Sequence, residues 1–368
     1  MYNRILISFI IILSATFLFT ENHDKIDFSG MKKIMSDNAI NTKKLESMKL
    51  REKNRLTKEI SKNAPSKVNY PAKPILSKQL SPPPFEDKKK FRATDSYHEW
   101  LGPTSTSQKI RALFRNLTIG ALSVGKDIEN TANWIRFPYY HHVFSDEMRG
   151  FEHQIRYLKN FGEFIGLNDA TSFLNTGEEI KGRYFCLTFD DGLSCCYKYA
   201  LPIISDLEVP AAFYVVTNMV GKSFEPDSLV SRNVFGFRGR NTSIEFLTWD
   251  QCRASTQVGI TIGSHTKSHR RLSELTLKEV RTELTDSKLE IETHTGIVCE
   301  HFCAPYGLPG EDFYLKRDGQ LARELGYRSF ATGCRGVNKK GDSSFALKRD
   351  HLLANWDIPQ LRYFFSTL

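Results

Sequence analysis

From about residue 135 onward, short apolar runs alternate with amphipathic segments, the pattern of parallel strands joined by helices. The runs predict strands at 137–143, 184–190, 211–217, 258–264, 300–304, 327–332 and 345–349. The clearest intervening helix is expected at 276–294, where Leu277, Val280, Leu284, Leu289 and Ile291 recur near helical spacing. Its start, Thr276-Leu-Lys-Glu279, has the form of a capping box. Seven such units predict an α/β fold, a barrel of β/α units that is open or distorted because the number falls short of eight. A doubly wound open sheet is the alternative. In both architectures ligands sit where strands end, so the residues just after each strand are the functional candidates.

Ahead of this region the pattern is polar and basic. The first hundred of the 368 residues carry 19 Lys and Arg against 11 Asp and Glu, a balance of +8 that leaves the remainder of the +9 chain almost neutral. The basic character therefore belongs to the amino-terminal part, and no nucleic-acid partner is expected for the α/β region. Met-Tyr-Asn-Arg followed by the apolar run 5–19 has the form of a signal peptide or signal anchor over 1–20. It predicts an exported protein, periplasmic or in the cell envelope, secreted or held at a membrane. Residues 21–130, with Pro-rich stretches at 65–74 and 81–84, read as a largely disordered tether. Its basic runs, such as Lys88-Lys89-Lys90, could meet anionic lipid or acidic polymer, or serve only as a solvated spacer. Short helices near 110–122 also fit the pattern. The α/β domain is then expected over 131–368, with its chemistry from about 182 onward.

The seven cysteines do not form a disulfide framework. Cys299 and Cys303, four apart in an expected strand, would stand about 13 Å from each other, too far to bridge. No CxxC occurs, which argues against a thiolate zinc site.

Four clusters follow expected strands: Asp190-Asp191-Gly192, His265-Thr-Lys-Ser-His269, Ala304-Pro-Tyr-Gly307 and Asp350-His351. Adjacent buried acids repel and need a cation or water. His265 and His269, three residues apart between them, could present two imidazoles to one ion. Two histidines and one aspartate would leave a divalent ion with an open position, the arrangement of a hydrolytic site, while the other aspartate serves as general base.

Thr188-Phe-Asp-Asp-Gly192, Ser264-His-Thr-Lys-Ser-His269 and Ala304-Pro-Tyr-Gly307, in this order, resemble the first three motifs of the polysaccharide deacetylase family, the NodB homology or carbohydrate esterase family 4 domain. The resemblance covers roughly 135–360, including Phe-Pro-Tyr-Tyr-His-His-Val at 137–143. It implies a distorted barrel of seven β/α units and a hydrolase that removes N- or O-acetyl groups from a glycan, in the manner of a chitooligosaccharide deacetylase. It further implies Asp190 as base and Asp191, His265 and His269 as ligands of a divalent metal, zinc first and cobalt, nickel or manganese as alternatives. Pro305 and Tyr306 match the motif whose tyrosine backbone N–H helps hold the oxyanion.

The chain departs from the family pattern twice. Cys303 stands where the family often carries the arginine that orients the base, and Arg349 in the last strand is the candidate substitute. The family's final histidine follows an apolar residue, whereas here the order is Leu347-Lys-Arg-Asp-His351; His351 is expected as the general acid. A non-catalytic glycan-binding relative is the alternative that the lost arginine suggests, and a small-amide hydrolase is a weaker one. His141 and His142, adjacent in a strand, should face opposite ways. Trp249 and Trp356 are candidate sugar platforms or core residues.

Overall fold

The computed structural model describes residues 91–126, 128 and 132–366. The expected signal segment at 1–20 and residues 21–90 of the expected tether lie outside the described residues. Seven short strands form one sheet: β1 (Pro138–Tyr140), β2 (Leu187–Phe189), β3 (Ala211–Val215), β4 (Thr261–Ser264), β5 (His301–Cys303), β6 (Ser329–Ala331) and β7 (Asp350–His351). Their spatial order is β6-β5-β4-β3-β2-β1-β7, with every neighbouring pair parallel. Ala331 at the end of β6 makes a parallel bridge to Leu347, just ahead of β7, so the curled sheet turns back on its other edge. This is the distorted (β/α)7 barrel, not the open doubly wound sheet.

Strand side chains alternate between two apolar layers, which is why the runs read as continuously apolar in the sequence. In β3, Ala212 and Tyr214 join an inner cluster with Cys303, Ala331 and Leu347, while Phe213 and Val215 join the larger outer cluster under the helices. Helix Leu167–Thr176 adds Leu167, Ala170 and Leu174 to the inner cluster.

The best-signalled helix runs Leu277–Thr295, and both halves of its capping box are made: Thr276 accepts from the Glu279 N–H and Glu279 from the Thr276 N–H. Its buried face is Val280, Glu283, Leu284, Ser287 and Ile291. Ser287 Oγ lies 2.6 Å from Ser264 Oγ at the end of β4, so this helix is tied to the strand that leads into the paired histidines.

Two expectations need correction. The strand expected at 345–349 is displaced. Ser344–Ala346 form a 3-10 turn, with the Ser343 hydroxyl accepting from the Phe345 N–H, and ladder pairing begins only at Asp350. The stretch expected to be tether up to 130 instead carries strand and helix among the described residues from 91 onward. Arg92–Ala93 pair in parallel with the strand Thr242–Glu245, and helix Tyr97–Leu101 follows with Ser96 as its N-cap. Trp100 packs against Phe144 and Phe237, so a few well-placed apolar residues anchor a segment whose average composition is polar. Helix Thr106–Leu122 packs on the C-terminal helix Ile358–Ser366. All seven cysteines are free, six of them buried. Among the described residues no helix is long and apolar enough to cross a membrane.

The capping box yields a stability prediction. Thr276→Ala removes the side chain that satisfies the Glu279 N–H and should lower unfolding free energy by about 1 kcal/mol. Urea titration of the full chain reads this as an earlier midpoint with unchanged slope; an unchanged midpoint would show the cap to be idle.

Candidate active site and metal centre

Successive strand residues point to opposite faces, so two adjacent acids should not meet in one cleft. The backbone reverses that rule here. Asp190 continues the ladder, its N–H donating to Tyr140 O at 2.9 Å, and Asp191 then turns left-handed at φ +70°. Gly192 follows at φ +75°, where a Cβ would stand 3.1 Å from Val215 Cγ1, so glycine fits the close approach. Both carboxylates are buried at the mouth of the barrel. Of six non-glycine residues with positive φ among the described residues, four are Asp191, Thr266, His269 and Tyr306. Strain of this kind persists only where surrounding structure holds it.

Asp191 faces two imidazoles. Its Oδ1 lies 3.4 Å from His265 Nε2 and 3.3 Å from His269 Nε2. Zinc ligands at about 2.0–2.1 Å, at a tetrahedral angle, stand about 3.3–3.4 Å from each other, so these three atoms match the corners of an ion site. His265 Nδ1 is 2.9 Å from the Cys303 carbonyl oxygen. That oxygen can only accept, so Nδ1 carries the proton and Nε2 keeps its lone pair for a metal. Without an ion, burial pushes the Asp191 carboxyl up, but an imidazole protonated also at Nε2 donates to it, and these hydrogen bonds from His265 and His269 hold the group well below the ordinary carboxylate range. An ion would take the place of those protons. Asp190, His265 and Cys303 also lie close enough to form a ligand set. That set is the poorer one: a guanidinium already faces it, and burial raises the Cys303 thiol so that it stays protonated.

The guanidinium is that of Arg349. It is bidentate to Asp190, with Nη1 donating to Oδ1 at 2.8 Å and Nη2 to Oδ2 at 2.7 Å. Its Nε donates to Thr332 O at 2.8 Å, and Nη2 reaches Cys303 Sγ at 3.0 Å. The group lies 4.1 Å from the centroid of the Tyr139 ring. Burial pushes the Asp190 carboxyl up, while the charge and hydrogen bonds of Arg349 bring its pKa below the ordinary value. A guanidinium from position 349 thus faces the Asp190 carboxylate beside Cys303.

Arg349 and His351 lie two apart in extended chain and share the inward face, whereas Asp350 between them pairs with Arg136 at 3.1 Å. His351 Nε2 is 3.1 Å from His141 Nδ1. Burial, then the neighbouring His141 and Arg335, push the His351 pKa down to about 3. His142 lies 3.0 Å from Glu147 Oε2, yet both histidines line the cleft; the expectation that they face opposite ways fails because the strand ends at Tyr140, ahead of them. Pro305 and Tyr306 form a tight turn closed by Gly307 N–H donating to Pro305 O at 2.7 Å, with Tyr306 at φ +62°. The Tyr306 ring lies 5.0 Å from that of His269.

The structure moves the aromatic candidates. Trp249 stacks on His294 and Trp356 on Phe364, and neither lines the cleft. Trp100 does, together with Phe235 and Leu353, in a cleft of about 260 Å³. Its place in a polar segment hid it from sequence reasoning. A second missed residue is Glu283, whose carboxylate accepts from Ser268 N at 2.8 Å and from the Ser268 hydroxyl, fixing the loop between the two histidines. Here a signal existed, since Glu283 is an acid on the apolar stripe of its helix.

The polysaccharide deacetylase family model matches residues 177–330, a stretch that holds Asp190, Asp191, His265, His269, Pro305 and Tyr306 and stops short of Arg349 and His351. YxkH of Bacillus subtilis, classed with the polysaccharide deacetylases, is 22% identical over 243 residues, 62% of this chain and 78% of that one. IcaB from Ammonifex degensii superposes with a TM-score of 0.52 at 20% identity, over 64% of this chain and 98% of that structure, a likeness of fold. With its motifs gathered in one cleft of a seven-stranded parallel barrel, the chain is similar to the polysaccharide deacetylase family over residues 177–330.

Proposed function

We propose that the protein is a metal-dependent hydrolase that removes acetyl groups, N-linked or O-linked, from a glycan. The observation that carries this reading is the juxtaposition of an Asp191–His265–His269 triangle of ion-site dimensions with a second carboxylate, Asp190, held ionised by Arg349. A bound divalent ion, zinc fitting the His2Asp set best, would supply Lewis acidity and make a water at its open position easier to deprotonate.

The chain's own residues divide the remaining work. Asp190 is the base: its oxygens are fixed by two parallel hydrogen bonds and its depressed pKa keeps it ionised at neutral pH. The Tyr306 backbone N–H, presented by the strained turn after Pro305, is the oxyanion donor. His351 is the acid. Burial keeps it neutral in the free protein; the negative charge that builds on the attacked carbonyl raises its proton affinity so that it takes a proton from solvent. It gives that proton to the amine or alkoxide as the C–N or C–O bond breaks, while Asp190 returns the proton taken from water to solvent. Trp100 and Leu353 form apolar walls against which an acetyl group or sugar face can lie. We also read the apolar run 5–19 as an export signal, which a fractionation of tagged full chain would check by its place in the envelope or outside the cell.

Acetate release from N- and O-acetylated glycans should be abolished by a chelator and restored by zinc, cobalt, nickel or manganese. Asp190→Asn should keep the ion, by elemental analysis, yet lose roughly 10²–10⁴ in kcat. Asp191→Asn should lose the ion itself. Release unaffected by chelator, or none from any acetylated glycan with ion present, would remove this reading.

The pH dependence follows from the sign of the Asp190 shift. With its pKa below the ordinary carboxylate value, the base is ionised throughout the neutral range and its titration contributes only at acid pH. Arg349→Met leaves burial unopposed, so the acid limb of kcat/KM should move to higher pH as the maximum falls. His351→Gln should lower kcat without moving that limb. An Arg349→Met profile with an unmoved acid limb would separate the guanidinium from the base.

A further inference from the structure

The helix Thr106–Leu122 carries an exposed apolar row. Ile110, Leu113, Phe114, Leu117 and Ala121 recur at the spacing of one helical face, and on a helix packed against the protein that face should point inward. Instead it points to solvent: Ile110 is 50%, Leu113 59%, Phe114 64% and Leu117 61% exposed. The less exposed residues, Thr118, Ile119, Gly120 and Leu122, belong to its last turn, so every described side chain of the earlier turns stands clear of the protein. Four large apolar side chains in one row form a patch that scattered surface residues do not.

Charge identifies the occupant. Between Gly102 and Lys126 there is no Asp or Glu, and the ionised residues are Lys109, Arg111, Arg115 and Lys126. Arg111 and Arg115 are exposed and lie to one side of the apolar row. An apolar face bordered by cations and free of acids suits the interface of an anionic bilayer, where the apolar groups enter the acyl boundary and the cations meet the headgroups. Two copies placed face to face would instead bring like charges together. No described helix is long and apolar enough to cross a membrane, so a contact of this kind would lie at the bilayer surface.

We propose that the face Ile110–Leu113–Phe114–Leu117 docks the folded domain onto an anionic lipid surface. The geometry ties this to the cleft. Trp100, which lines the cleft, is joined to the helix by the short segment 101–105, and that segment is held where Arg238 N–H donates to Trp100 O at 3.0 Å. Docking would thus set the cleft mouth close to the headgroups and favour acetylated polymer lying at the membrane surface over polymer in bulk solution.

Hydrogen exchange of the full chain, read on the peptide covering 106–122, tests this with vesicles of phosphatidylcholine alone or mixed with phosphatidylglycerol. Exchange should slow several-fold with the mixed vesicles and little with the neutral ones. Leu113→Glu/Leu117→Glu, at exposed positions, should abolish the protection and leave soluble acetylated substrate turnover unchanged. Arg111→Gln/Arg115→Gln should weaken it by about fivefold for each charge, converted from roughly 1 kcal/mol apiece, with high salt doing the same. Equal exchange with and without vesicles would overturn the proposal. So would protection already present in buffer: if it rises with protein concentration, the face covers a second copy, and if it does not, the face is covered by the chain's own segment 5–19.

Discussion

A buried ion pair between Arg349 and Asp190 holds the active cleft together. Its two charges come from opposite ends of the barrel sequence, 159 residues apart, and meet at 2.7 and 2.8 Å. Removing either partner would strand a charge in a protein interior, a loss of about 3–5 kcal/mol for pairs of this kind. The guanidinium also binds Thr332 O and touches Cys303 Sγ and Thr188 Oγ1, so it links the ends of β2, β5 and β6 to the chain entering β7. A barrel with only seven strands has a seam, here between the edge strands β6 and β7, and this group sits across it, donating from just ahead of β7 to Thr332 just after β6.

Around that pair, the backbone carries strain that the fold holds in place. Left-handed conformations at Asp191, Thr266, His269 and Tyr306 turn side chains and amides toward a single point that regular strands could not supply. The support is distributed: Gly192 seats the acid turn against Val215, Glu283 fixes the loop carrying His269, and the Cys303 carbonyl sets the His265 tautomer. Cys303 therefore acts through its backbone and by its small size, leaving room for the arginine that reaches in from β7.

The amino-terminal arm extends this scheme. Its short strand pairs outside the main sheet, its first helix brings Trp100 to the cleft, and its second carries an apolar row outward. Residues with no place in the barrel thus bear on which surface and which substrate the barrel meets.

Local signals determined much of this in advance. Asp190-Asp191-Gly192 and His265 with His269 stood out by their places after expected strands and took their roles from the resemblance, whereas the Thr276–Glu279 cap could be read from spacing alone because its partners are neighbours in the chain. The alternation of strands and helices fixed the number of units for the same reason. What the tertiary structure decided were the long-range pairings: Arg349 on Asp190 beside Cys303, His141 beside His351, and Trp100 rather than Trp249 or Trp356 at the cleft. Arg349 was a candidate on paper, but only closure of the sheet brings β7 to the mouth it shares with β2. Propensity and periodicity act over one or two turns of chain, whereas these contacts arise from strand order and from backbone turns that reverse which face a side chain meets.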